Sequence, residues 1–132
     1  MERPLTLLIA DRNPHVRKYL KREFSGPACN VRTAEKAEAV LADIYGAAGP
    51  DLLIVDPDLP DTPGEALLKN LIDRLPPLTI IVHTLHVEDF AHIGEKGVFL
   101  VEKRGNSIER LKQIVSTLEK RSRNPKPAPS SL

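Results

Sequence analysis

Four polar side chains, Asp11, Asp56, Thr84 and Lys103, each follow a short apolar run of the kind that forms a buried strand. A carboxylate, a hydroxyl and an ammonium group on one rim would suit phosphoryl transfer. The carboxylate attacks phosphorus, and the donors hold the oxygens of the transferred group. Asp56 is the candidate nucleophile, with Thr84 and Lys103 as candidate donors. Taken singly, each is ordinary: aspartates cap helices, threonines sit in turns, lysines coat surfaces. Their weight comes from their order at successive strand ends.

The elements that must position them are legible in the apolar pattern. Leu5 to Ala10 is nearly continuous apolar sequence, as in a strand covered on both faces. Asn13-Pro14 supplies a helix N-cap and a proline at the first helical position. Val16, Leu20 and Phe24 form the stripe of that helix, and Ser25-Gly26-Pro27 ends it. Ala28 to Arg32 is a weaker strand. Thr33 is the expected cap of a helix with Ala37, Val40, Leu41 and Ile44 inward, broken by Gly46 to Pro50. Leu52 to Val55 is the clearest buried strand. Thr62-Pro63-Gly64-Glu65 reads as a capping box ahead of a helix that buries Leu67, Leu68, Leu71, Ile72 and Leu75 and stops at Pro76-Pro77. Leu78 to Val82 is the fourth strand, Val87 to Glu95 a short helix, and Gly97 to Glu102 holds the fifth strand. Asn106 with Glu109 opens the last helix, which carries Ile108, Leu111, Ile114, Val115 and Leu118.

This alternation predicts an α/β fold: a doubly wound, five-stranded parallel sheet of order 2-1-3-4-5, flavodoxin-like, with helices on both faces. Ligands in such sheets lie beyond the carboxyl ends of the strands. One domain is expected over residues 1–121. The Pro, Ser and basic residues of 122–132 are expected to form a disordered tail.

Composition narrows the class. Hydrophobic residues are 41% and charged residues 28% of the 132, the balance of a globular chain; three Phe, two Tyr and no Trp make its core aliphatic. Cys29 is the single cysteine, so no internal disulfide forms. Leu5 to Ala10 is too short for a leader or a membrane span, and a cytoplasmic location is expected. Setting aside the two basic residues from Ser122 on, the body carries 17 basic and 18 acidic residues, so it lacks the basic excess of a nucleic-acid binder. No membrane and no nucleic acid are expected as partners.

With these residues in place, the chain resembles the response-regulator receiver family over Leu5 to about Arg121. Leu7-Leu8-Ile9-Ala10-Asp11 is similar to the family's first strand with its acidic end. Asp56-Pro57-Asp58-Leu59-Pro60, followed by Gly64, resembles the phospho-aspartate loop and the start of the third helix. Thr84 stands at the hydroxyl position and Lys103 at the lysine position after the fifth strand. The resemblance implies that Asp56 accepts a phosphoryl group from a histidine kinase or phosphotransfer protein, that Thr84 bonds a phosphoryl oxygen, and that Lys103 pairs with the phosphoryl group or with Asp56. It implies Mg2+ held by Asp11, Asp56 and the backbone carbonyl of Asp58. No enzymatic activity is implied beyond accepting the group and slow autodephosphorylation.

The chain departs from the family at several positions. Two adjacent acids usually follow the first strand; here they are Asp11-Arg12. A guanidinium cannot coordinate magnesium, which prefers hard oxygens. At about 6 Å and an effective dielectric near 20, it repels the ion by on the order of 5 kcal/mol. Arg12 could swing into water and leave Asp11, Asp56 and the Asp58 side chain to a weak ion. The preferred expectation is that Arg12 replaces the metal by bridging Asp11 and Asp56. Arg104 stands where the family has proline, and the segment from Thr84 to Lys103 is short. Leu100 takes the place of the switch aromatic, with Phe99 beside it.

Other clusters carry less. Arg12, Arg17, Lys18, Lys21 and Arg22 make a basic end to the first helix, either a solvated face or a dock for an acidic partner helix. His83, His86 and His92 lack the spacing of a metal site. There is no glycine-rich phosphate loop after the first strand. With no effector domain expected after the last helix, output should pass to a downstream protein through the face of the fourth helix, fifth strand and fifth helix, or through further transfer of the phosphate; the sequence leaves monomer and homodimer both open. The runner-up reading is a pseudo-receiver: an interaction module that is never phosphorylated, with Arg12 occupying the metal site.

Overall fold

The computed structural model describes residues 3–74, 78–94 and 97–123. The expected positions of Leu75, Pro76, Pro77 and Glu95, and the tail from 124 on, lie outside the described residues. The chain runs β1 (Leu5–Ala10), α1 (Pro14–Phe24), β2 (Cys29–Ala34), α2 (Ala37–Ile44), β3 (Leu52–Val55), α3 (Gly64–Ile72), β4 (Thr79–Thr84), a 3-10 turn (Val87–Phe90), α4 (Ala91–Gly94), β5 (Phe99–Glu102) and α5 (Ser107–Arg123). All strand pairs are parallel and the order is β2-β1-β3-β4-β5, the expected doubly wound topology.

Strand alternation sorts the core into two layers. Leu8, Ala10, Leu53, Val55, Ile80 and Val82 face one way, onto Val40 and Ile44 of α2 and Leu67, Leu68 and Leu71 of α3. Leu7, Ile9, Leu52, Ile54, Ile81 and Val101 face the other way, onto Leu20 and Phe24 of α1 and Leu111, Ile114 and Val115 of α5. Both faces of the central strands are covered, which is why those strands read as continuous apolar runs.

Several local expectations are corrected. Thr33 does not cap α2; it lies within β2, paired with Ile9. The first N–H groups of α2, at Ala37 and Glu38, instead donate to the Asp61 carboxylate at 2.7 and 2.9 Å. A cap supplied 24 residues away by the loop after β3 leaves no local signature. Those two bonds hold the Asp61 carboxyl below its ordinary pKa. Thr62 does not form the capping box: α3 starts at Gly64, and Pro63 at its cap makes no side-chain bond. β4 continues past Val82 through His83 and Thr84. The short helix after it divides into a 3-10 turn and one turn of α-helix. α5 runs two residues past the expected boundary at Arg121. Asn13 caps α1 as expected, its Oδ1 accepting from the His15 N–H at 2.9 Å.

Candidate functional site at the carboxyl rim of the sheet

Register builds the site. Ala10 pairs with Val55, and Val55 with Val82. The next residue on each strand therefore stands at one level: Asp11, Asp56 and His83. The Asp56 N–H donates to the Ala10 carbonyl at 2.9 Å and extends the ladder by a step. On the far side Thr84 pairs with Glu102, so Lys103 leaves the sheet one residue above Thr84 and two above His83. Its N–H donates to the Thr84 carbonyl at 2.8 Å.

Lys103 is the centre of the site. Its Nζ donates to Asp11 Oδ2 at 2.6 Å and to Asp56 Oδ2 at 2.7 Å. Asp11 is 2% exposed and Asp56 9%, so the two carboxylates sit together almost out of water and the ammonium neutralises part of their repulsion. Burial opposes the charge on Lys103, but the hydrogen bonds and charges of Asp11 and Asp56 outweigh it and hold its pKa above the ordinary lysine value. The remaining carboxylate oxygens are also bonded: Asp11 Oδ1 accepts from the Asn13 N–H, and Asp56 Oδ1 from the Asp58 N–H, both at 2.9 Å.

Arg12 stands elsewhere than expected. It does not bridge Asp11 and Asp56, because the shorter, straighter Lys103 already does. Its Nε instead donates to the backbone carbonyl of Asp58 at 3.1 Å, and its Nη2 lies 3.8 Å from Asp58 Oδ1. Arg17 fixes the turn beneath it, donating from Nη1 to the carbonyls of Asp11 at 2.7 Å and Arg12 at 3.1 Å.

Thr84 is buried, and its hydroxyl accepts from the His86 N–H at 3.2 Å. A groove of about 600 Å3 runs between the loop after β3 and the end of β4, lined among others by Asp58, Thr84, His86, Asp89 and Phe90. Gly64 lets α3 lie against this loop: a Cβ there would come within 2.5 Å of the Pro57 carbonyl oxygen. Leu100, at the place of the switch aromatic, packs against the core, while Phe99 is exposed.

His83 escaped the sequence reading, which weighed it only beside His86 and His92 as a metal ligand. The three turn to different partners: His83 Nε2 hydrogen bonds Ser107 Oγ at 3.0 Å, His86 lies 3.7 Å from Glu88, and His92 pairs with Glu65 at 3.0 Å. Burial first, and then the Lys103 charge, push the His83 imidazole down to about 4, against the opposing pull of Asp11 and Asp56. It is a neutral residue of the site floor, tying β4 to the first turn of α5. The clue lay in strand register, which a single chain does not display.

The donor set does not fit an ordinary magnesium site. Two carboxylates are present, both engaged by an ammonium, and the Asp58 carbonyl is engaged by a guanidinium. The Asp58 carboxylate, expected as a further ligand, is exposed and turned to Arg12. Among the described residues, no group of three or more His, Cys, Asp or Glu side chains is gathered to hold a metal ion.

A flavodoxin-like sheet with paired aspartates and a lysine at its carboxyl rim defines a class of signalling module. The response regulator receiver domain model matches residues 7–116, and the chain belongs to that family. Receiver domains are generally non-enzymatic and interact with histidine kinases or phosphotransfer proteins. Among relatives, the DNA-binding transcriptional regulator NtrC of Klebsiella pneumoniae is 35% identical over 93 residues, 69% of this chain and 20% of that protein. The chain thus spans about a fifth of the length of the curated relatives it matches. Among the solved structures that share the fold are two receiver proteins. A CheY-like receiver domain protein of Methanospirillum hungatei has a TM-score of 0.77 at 22% identity, covering 92% of this chain and 98% of its own. The response regulator TrrA of Thermotoga maritima, in complex with Mg2+-BeF, has a TM-score of 0.74 at 22% identity, covering 86% and 98%. No described helix is long and apolar enough to cross a membrane.

Proposed function

We propose that the chain is the receiver module of a two-component phosphorelay, which takes a phosphoryl group on Asp56 and signals by protein contact in the cytoplasm. The observation that carries this reading is the Asp56 carboxylate, held by Lys103 and the Asp58 N–H beside the groove that Thr84 lines. An Asp56 oxygen attacks the phosphorus of a phosphohistidine on a histidine kinase or phosphotransfer protein. The P–N bond breaks, and its electron pair stays on the ring nitrogen. With the other nitrogen protonated, neutral imidazole leaves and an aspartyl phosphate remains. Lys103 and the Thr84 hydroxyl hold phosphoryl oxygens. Slow hydrolysis of the acyl phosphate resets the module. Output runs through the face of α4, β5 and α5, to a downstream protein or a second copy.

The test is incubation with acetyl phosphate and intact-mass analysis. A single phosphoryl adduct is expected on the native chain and none on Asp56→Asn. The Arg12 bond to the Asp58 carbonyl favours the second reading, a pseudo-receiver acting only as an interaction module. Absence of any adduct, with and without divalent metal, would decide for it.

A further inference from the structure

We propose that the Arg12 guanidinium does the work of a divalent cation, so that Asp56 takes phosphoryl-type anions with no metal bound. This rests on the phosphoacceptor reading of Asp56.

Charge comes first. Asp11, Asp56, Lys103 and Arg12 sum to zero. An acid in place of Arg12 would leave the same four positions at minus two, the deficit that one divalent ion cancels. Exchanging an acid for arginine changes the local charge by two units, as binding that ion would. A magnesium ion added to the native set would give an excess of plus two in a site already hard to hydrate.

Geometry comes second. Asp58 joins the cation to the nucleophile through one residue's backbone: its N–H donates to Asp56 Oδ1 at 2.9 Å, and its carbonyl accepts from Arg12 Nε at 3.1 Å. That carbonyl is the one the family resemblance gives to the metal. Arg17 pins the peptide groups on either side of the Arg12 Cα, so the side chain starts from a fixed base. The Arg12 side chain is half exposed, and among the described residues its Nη groups make no hydrogen bond. The outer fork holds only the loose ion pair of Nη2 with the exposed Asp58 carboxylate at 3.8 Å, a contact it can exchange for two oxygens or fluorines of a tetrahedral anion in bidentate fashion.

The probe is beryllofluoride, an anion of phosphoryl shape, followed by 19F NMR and by amide spectra that also report folding. Arms with EDTA and with excess Mg2+ are compared for the native chain, Arg12→Ala, Arg12→Asp and Asp56→Asn. The native chain should bind with affinities agreeing within about threefold in the two arms. Arg12→Ala should weaken binding in EDTA by roughly tenfold or more, the loss of one charge-assisted contact. Arg12→Asp should bind only with Mg2+. Binding by the native chain that needs Mg2+ overturns the inference and leaves Asp56 as acceptor. So does unchanged affinity of Arg12→Ala in EDTA. Failure of the native chain to bind in both arms overturns the inference and the acceptor reading together.

Discussion

At the scale of single residues, Lys103 is the group on which the site turns. One ammonium faces two buried carboxylates, so its removal strands like charges in a poorly hydrated place. Lys103→Met should lower the free energy of unfolding by about 2 kcal/mol, less than a fully buried pair because part of the ammonium still meets water. Urea unfolding checks this, and the loss should shrink in an Asp56→Asn background, where one of the stranded charges is gone. His83 makes a second residue-scale prediction. Its imidazole titrates near 4 in the fold and near 6.5 in the open chain, so between those values the unfolded state binds the extra proton. Its contribution is complete above pH 6.5 and is lost as pH falls toward 4, up to about 3 kcal/mol. Unfolding curves from pH 7 to 4 should show native stability falling more steeply than that of His83→Gln.

At the scale of elements, the loop between β3 and α3 is held from three sides. Asp61 binds the start of α2, Asp58 binds Asp56 and Arg12, and Gly64 packs on Pro57. The close approach at Gly64 is against backbone, which cannot yield as a flexible side chain can. Gly64→Ala should therefore cost about 1–3 kcal/mol, an overpacking penalty, although alanine is the better helix former. Thermal melts would read the loss, and a rise in stability would show that the loop gives way. Strand order places β5 at the sheet edge, and Phe99 on it and Leu85 just past β4 are exposed, unlike the covered central strands.

At the scale of the whole molecule, one sheet brings together residues 92 positions apart in the chain, and its two core layers keep that rim in register. Much of this was legible in the sequence. Apolar runs and helical stripes are local consequences of burial, so the five strands, their order and the presence of Asp11, Asp56, Thr84 and Lys103 at strand ends could be read from the residues and the family resemblance. Caps made by distant side chains could not: Thr33 and Thr62 carried the right chemistry, yet Asp61 and packing at Gly64 decided where α2 and α3 begin. The pairing of cations with anions was also decided only in three dimensions. Arg12 is next to Asp11 in sequence and Lys103 is far from it, yet parallel pairing lifts Lys103 over both carboxylates and sends Arg12 to the Asp58 carbonyl. Sequence determines which charges a site owns; register and backbone direction determine which of them meet.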